Sequence, residues 1–233
     1  MKFKSLFIVF LYSGILILMI ISCKKESNTN ASTNPSSTVT DIDGNVYHTV
    51  TIGTQVWMVE NLKTTKYRNG DPISNDLGMW VSLVTGAYSW FNNDATNYKN
   101  PYGALYNWYA VTDSRKIAPS GWHVPSDAEW SILINYLGGE SIAGGKLKET
   151  GTVHWFTPNV GATNSSGFTG LPVGYRSIFG NFNSYGDLCY WWSSTADSSP
   201  YTAWTAHLHF RYNESFRISN NNVSGFSVRC LQD

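Results

Sequence analysis

Ser120 to Gly139 reads SGWHVPSDAEWSILINYLGG, and these residues mark both ends of a helix. Ser126 and Glu129 stand at the S-x-x-E spacing of a capping box. In that motif the serine hydroxyl accepts from the Glu129 amide while the Glu129 carboxylate accepts from the Ser126 amide. Trp130, Leu133, Ile134 and Leu137 follow at i, i+3, i+4 and i+7, one apolar stripe of about three turns. Gly138 and Gly139 supply the left-handed residue that stops the helix. Most of the remaining chain consists of short strands and turns, so the stripe predicts a sheet-rich domain closing under one amphipathic helix.

Upstream, Asp43-Gly44 lies between TVTDI and NVYHTVTI and predicts a hairpin, and Gly53-Thr54 separates the second run from QVWMVE. A meander of three strands therefore opens the domain. Asp41, Asp43 and Asn45 could suggest a calcium loop, but the glycine and glutamate that an EF-hand needs are not at the required spacing. Tyr67 to Asn100 has no sustained period and is rich in Gly, Asn, Asp and Trp, which predicts long ordered loops. Pro101 to Asp113 predicts a second helix burying Ala104, Leu105, Trp108 and Val111, and Ser141 to Lys148 predicts one short helical turn. Trp204, Ala206, Leu208 and Phe210 alternate with Thr205, His207 and His209, as in a strand with one solvated face. Phe226 to Cys230 predicts a closing strand that pairs near the start of the domain.

The N-terminus has a different texture. Lys2 and Lys4 precede an apolar run from Leu6 to Ile21, and Ser22 leads into Cys23. This pattern resembles a bacterial lipoprotein signal peptide, residues 1–22, with Cys23 as the lipid-modified first residue of the mature chain. The run is short for a membrane span of about 20 residues. Apart from Pro35, residues 24 to 38 carry no apolar side chain larger than Ala and read as a polar tether, holding the 39–233 domain about 20 Å from the lipid on average. The expected location is the cell envelope after export, with the lipid on Cys23 in the outer membrane.

Sixteen basic residues balance sixteen acidic ones, so no electrostatic footprint for nucleic acid is present. Aromatic residues make up 15 % of the chain and charged residues only 14 %, which points to aromatic packing and aromatic contact surfaces. Trp80, Trp90, Tyr98 and Trp155 fall in loop-like stretches beside Asn92, Asn93, Asp94 and Asn159. That mixture lets rigid rings pack on a glycan or protein ligand while amides hydrogen-bond it, and core filling is the alternative for the rings. Cys189 and Cys230 remain as an even pair, either bridged by a disulfide or buried as structural thiols. His207-x-His209 offers two imidazoles to a metal, but zinc needs a third ligand, and His48, His123 and His154 are not tied to the pair by any motif. Ser193-Ser194-Thr195 lacks a nucleophile elbow. The sequence thus presents no catalytic constellation, no metal set and no cofactor motif.

VTIGTQVWMVENLKTTKYRNGDPI, YGALYNWYAV, SGWHVPSDAEW, GFTGLPVGYR, YWWSST and SGFSVRC, in that order, resemble the Fibrobacter succinogenes major paralogous domain, a family of lipoproteins and other exported proteins of Bacteroidetes and Fibrobacteres. The resemblance covers nearly all of residues 41 to 233. More distantly, GWHVPSDAEW and GFSVRC are similar to the corresponding helix and strand of the formylglycine-generating, sulfatase-modifying fold. That likeness implies an α+β, C-type-lectin-like architecture: a mixed, mainly antiparallel twisted sheet with two main helices and long loops. The chemistry does not carry over, because the enzymes use two close cysteines on a late segment to bind copper, whereas Cys189 and Cys230 lie far apart in sequence. Thr157-Pro158-Asn159 keeps only part of the calcium-dependent sugar-binding loop of C-type lectins. The resemblance thus implies a non-catalytic envelope module that binds a glycan or protein. A structural envelope component and an enzyme with replaced catalytic residues are the other readings.

Overall fold

The opening meander forms because Asp41 organises its first turn. One carboxylate oxygen of Asp41 accepts from the amides of Asp43 and Asn45, and the other from the Asn45 side chain and the Tyr47 hydroxyl. Gly44 takes the positive φ of +81° that the turn requires. With its oxygens committed, Asp41 is a turn residue. The computed structural model describes residues 37–233. The segments read as signal peptide (1–22), lipidation site (Cys23) and all but the last two residues of the tether (23–38) lie outside the described residues.

In chain order the elements are β1 Thr38–Thr40, β2 Val46–Ile52, β3 Gln55–Met58, β4 Ser74–Asn75, β5 Ala87–Ser89, α1 Ala95–Tyr102, β6 Leu105–Tyr106, α2 Trp108–Thr112 and β7 Trp122–His123. They continue with α3 Asp127–Tyr136, α4 Glu140–Leu147, β8 Tyr175–Arg176, β9 Phe182–Asn183, β10 Leu188–Ala196, β11 Thr202–His209, β12 Ser215–Asn221 and β13 Leu231–Gln232. One sheet has the order β1-β2-β3-β13-β7 and a second β10-β11-β12, both antiparallel throughout. Two smaller sheets, β4-β5-β6 and β8-β9, complete a mixed, mainly antiparallel α+β architecture in which β4 and β5 run parallel.

Helix α3 begins at the predicted capping box, with both reciprocal hydrogen bonds present. Its stripe buries Trp130, Leu133, Ile134 and Leu137. Trp130 packs against Trp57, Phe168 and Trp191 at centroid distances of 4.8, 6.0 and 6.0 Å. This aromatic nest joins α3 to both large sheets, through Trp57 on β3 and Trp191 on β10.

Several elements differ from expectation. The single helix predicted over Pro101 to Asp113 is split: α1 ends at Gly103, whose φ is +78°, Leu105 and Tyr106 pair with β5, and Asn107 caps α2 by accepting from the Ala110 amide. There are four helices among the described residues where two main ones were expected. α4 runs two turns instead of one; Gly144 carries no Cβ, which lets the backbone of Asn213 and Glu214 lie directly on the helix, and Gly145 likewise admits the Gly161 backbone and the Asn213 side chain. β12 went unpredicted because SFRISNN is half polar. Its Arg217 pairs with Asp127 on α3 at 3.0 Å. Phe226 to Cys230 is extended but belongs to no single strand. It exchanges backbone bonds with Tyr106, Tyr190, Leu62 and Met58 in turn, and only Leu231–Gln232 joins a regular sheet.

Four cations hold loops through backbone carbonyls. Arg68 donates to Ala118, Pro119 and Trp122, Lys148 to Val160, His209 and Tyr212, Arg176 to Asp76 and Gly78, and Arg229 to Phe168. Lys148, Arg176 and Arg229 are fully or almost fully buried. Burial pulls their pKa values down to about 8, 10 and 9 respectively.

Candidate functional site

The loop aromatics expected to contact ligand are mostly core. Trp80, Trp155 and Trp90 are 0, 1 and 7 % exposed, so their rings are closed to a ligand. Each has a structural task. Trp80 Nε1 donates to the Asp76 carbonyl beneath the Arg176 guanidinium, Trp155 Nε1 donates to Gly170, and Trp90 packs edge-on against Tyr88. Asn159 is also buried and spends its amide on the Glu149 and Gly151 carbonyls. Asn92 and Asn93 are exposed with positive φ, and Asp94 caps α1. Tyr98 is half-buried among Phe91, Tyr102 and Tyr185.

The structure places an exposed aromatic face nearby, on segments 154–156 and 184–187. His154 meets the Tyr102 ring edge-on at 5.6 Å, and Tyr102 and Tyr185 share a hydroxyl hydrogen bond of 2.7 Å. Phe156 is 52 % exposed and lies against Gly186, where a Cβ would come within 2.6 Å of its ring. Beside it a depression of about 410 Å³ is lined by Phe156, Asp187, His209, Phe210, Arg211 and Tyr212. His209 Nδ1 accepts from the Arg211 amide at 3.0 Å and Nε2 faces Asp187 Oδ1 at 3.2 Å, an arrangement that suits a neutral ring protonated on Nε2. Burial holds its pKa below the usual value against the pull of Asp187. Lys148 fixes this turn from beneath through the His209 and Tyr212 carbonyls. The depression therefore offers an exposed ring on each of two segments, a carboxylate and a guanidinium on a clamped backbone.

This site was only faintly legible. Phe156 follows Trp155 in sequence, and Phe210 to Tyr212 follow an alternating strand, but only the fold shows which rings face outward. The face that His207 and His209 share is not solvated as expected. β10 and β12 flank it, and His207 is sandwiched between Tyr190 and Phe216 at 4.9 and 4.8 Å, with burial drawing its pKa to about 4. Cys189 and Cys230 are free thiols in separate core clusters, so the disulfide reading is corrected. Burial pushes both thiols up and keeps them protonated. Among the described residues no group of three His, Cys, Asp or Glu side chains could hold a metal ion, and no helix is long and apolar enough to cross a membrane.

A second cleft, about 340 Å³, contains His123, Ser194 and Asp233. His123 Nδ1 meets Asp233 at 2.7 Å and Nε2 meets Glu129 at 2.9 Å. Both nitrogens are committed to carboxylates, so neither is free to take a proton from Ser194. Burial opposes the charge, but the two carboxylates outweigh it and raise the His123 pKa above 6.5. A raised histidine pKa stabilises the fold below the unfolded value and ceases to do so as pH rises through the folded value. The stability difference between the parent and His123→Gln is expected to be largest below about pH 6.5 and to vanish on the alkaline side, measured by urea unfolding across pH. A difference that is flat with pH would show that the ring is not charged. His207 contributes in the opposite direction, and taking the difference removes it.

No curated protein and no solved structure matches the chain. The family model described as the Fibrobacter succinogenes major domain matches residues 50–232, from the middle of β2 through β13, including all four helices and every residue of the aromatic depression. The chain belongs to the Fibrobacter succinogenes major domain family.

Proposed function

We propose that this chain is an exported module, lipid-anchored at Cys23 in the outer membrane, that binds a glycan through its aromatic face without catalysing a reaction on it. The domain is a lectin-like scaffold on which loops carry the contact residues. The observation that supports this reading is the depression lined by the exposed rings of Phe156 and Tyr212 together with Asp187 and Arg211. Rings of this kind stack on the apolar face of a sugar while a carboxylate and a guanidinium take its hydroxyls.

The test is a glycan array probed with the full chain, with and without calcium, followed by affinity measurement on any hit. Phe156→Ala and Tyr212→Ala are expected each to weaken binding about tenfold, the equivalent of about 1.4 kcal/mol, with little change in melting temperature. Binding that survives both substitutions would place the ligand elsewhere. Export and anchoring are tested separately: a fatty-acid analogue fed to cells should label the parent and not Cys23→Ser.

A structural role in the envelope is the second reading, favoured by the burial of Trp80, Trp90 and Trp155. It predicts envelope defects on deletion that Phe156→Ala, Tyr212→Ala chains fully repair.

A further inference from the structure

The loop from Leu77 to Val84 displays large apolar side chains away from the core. Leu77, Met79, Val81 and Val84 are 61, 64, 49 and 78 % exposed. The backbone that carries them is held firmly: Arg176 takes the Asp76 and Gly78 carbonyls, Trp80 is buried, and the Trp80 amide donates to Ile178. Apolar side chains concentrated on a clamped loop mark a contact surface.

Val81 and Val84 line a depression of about 270 Å³ together with Tyr109, Tyr201 and Asn222, and no charged side chain takes part in the lining. Tyr201 on the rim is 72 % exposed. Asn222 is 2 % exposed and fixed on three sides: its amide donates to Tyr201, its carbonyl accepts from Trp108, and its Nδ2 donates to Pro200. Its Oδ1 is buried and accepts from no described residue. A buried acceptor without a donor is a standing destabilisation that an incoming N–H or O–H removes.

We infer that this depression is a docking site for a protein partner that inserts one neutral aromatic side chain with a donor at its tip, a tryptophan or tyrosine, whose N–H or O–H reaches Asn222 Oδ1. The uncharged lining offers no cation to pair with phosphate or carboxylate and no carboxylate to pair with ammonium. The concavity suits a single anchoring ring, the kind of residue that carries most of the energy of a protein interface. A lipid surface would supply no ring to fill the hollow and no matched donor. The site is independent of the glycan-binding reading. Tyr201 and Asn221 stand at one end of the β11-β12 hairpin and His209 to Tyr212 at the other, separated by roughly 25 Å of strand.

The test uses the full chain labelled with nitrogen-15 and titrated with 3-methylindole, which has the N–H, and 1,3-dimethylindole, which lacks it. The expected result is saturable shifts of the Val81, Val84, Tyr201 and Asn222 amides, with affinity for 3-methylindole about fivefold or more the higher. Val84→Glu should abolish these shifts at an unchanged melting temperature, and Phe156→Ala should leave them intact. Equal affinity for the two probes overturns the assignment of Asn222. Absence of shifts, or binding of these residues to phosphatidylcholine vesicles while both probes leave them unmoved, overturns the site.

Discussion

Trp130→Ala is expected to lower the free energy of unfolding by about 3–5 kcal/mol, as for other large aromatic truncations in close-packed cores. The indole is 1 % exposed and touches Trp57 of β3, Phe168 and Trp191 of β10. Its removal opens a cavity at the place where α3 meets both large sheets, and three rings cannot shift far enough to fill it. Chemical denaturation of the variant measures the effect. Trp130→Phe should cost much less, because the Trp130 Nε1 has no hydrogen-bond partner among the described residues and its loss leaves no acceptor bereft. If the alanine variant lost under 1 kcal/mol, the nest would not be the centre of the fold.

The second large effect belongs to Lys148→Met. Methionine preserves most of the side-chain volume but leaves the carbonyls of Val160, His209 and Tyr212 without their shared donor. The His209 carbonyl keeps the Tyr212 amide as a donor, so two acceptors are orphaned at about 1–3 kcal/mol each when buried, and a loss of at least about 2 kcal/mol is expected. That is a large share of the roughly 5–15 kcal/mol that holds a typical domain folded. Because two of the three carbonyls belong to the turn that lines the aromatic depression, amide exchange at His209 to Tyr212 should accelerate beyond what the change in global stability accounts for. Uniform acceleration across the domain would assign Lys148 a purely global role.

The sequence disclosed local structure better than contacts between distant segments. α3 was legible because its cap, stripe and stop lie within fourteen residues of chain, from Ser126 to Gly139, and each is decided by its neighbours. The opening meander was legible for the same reason, since Asp41 and Gly44 build the turn themselves. The division of Pro101 to Asp113 was not, because Leu105 and Tyr106 are drawn into strand pairing by β5 and by Phe226, far along the chain. The candidate site suffered most. Whether a tryptophan faces ligand or core depends on what distant parts of the chain lay against it: the Arg176 guanidinium covers Trp80, and the Gly170 carbonyl takes the Trp155 Nε1 proton from 15 residues away. The resemblance to the family rests on short blocks in order, and those blocks are largely these core-facing segments. That is why it identified the family, while the contact rings, chosen from loop composition, fell on three tryptophans that the fold buries.

The way the loops are moored bears on how such a domain can change. Arg68, Lys148, Arg176 and Arg229 grip main-chain oxygens, a feature every residue type shares. Residues at the tips, such as Met79, Val84, Arg211 and Tyr212, can therefore be exchanged for others while the path of the chain stays put. A gene copied many times could in this way acquire a varied repertoire of surfaces on one unaltered frame.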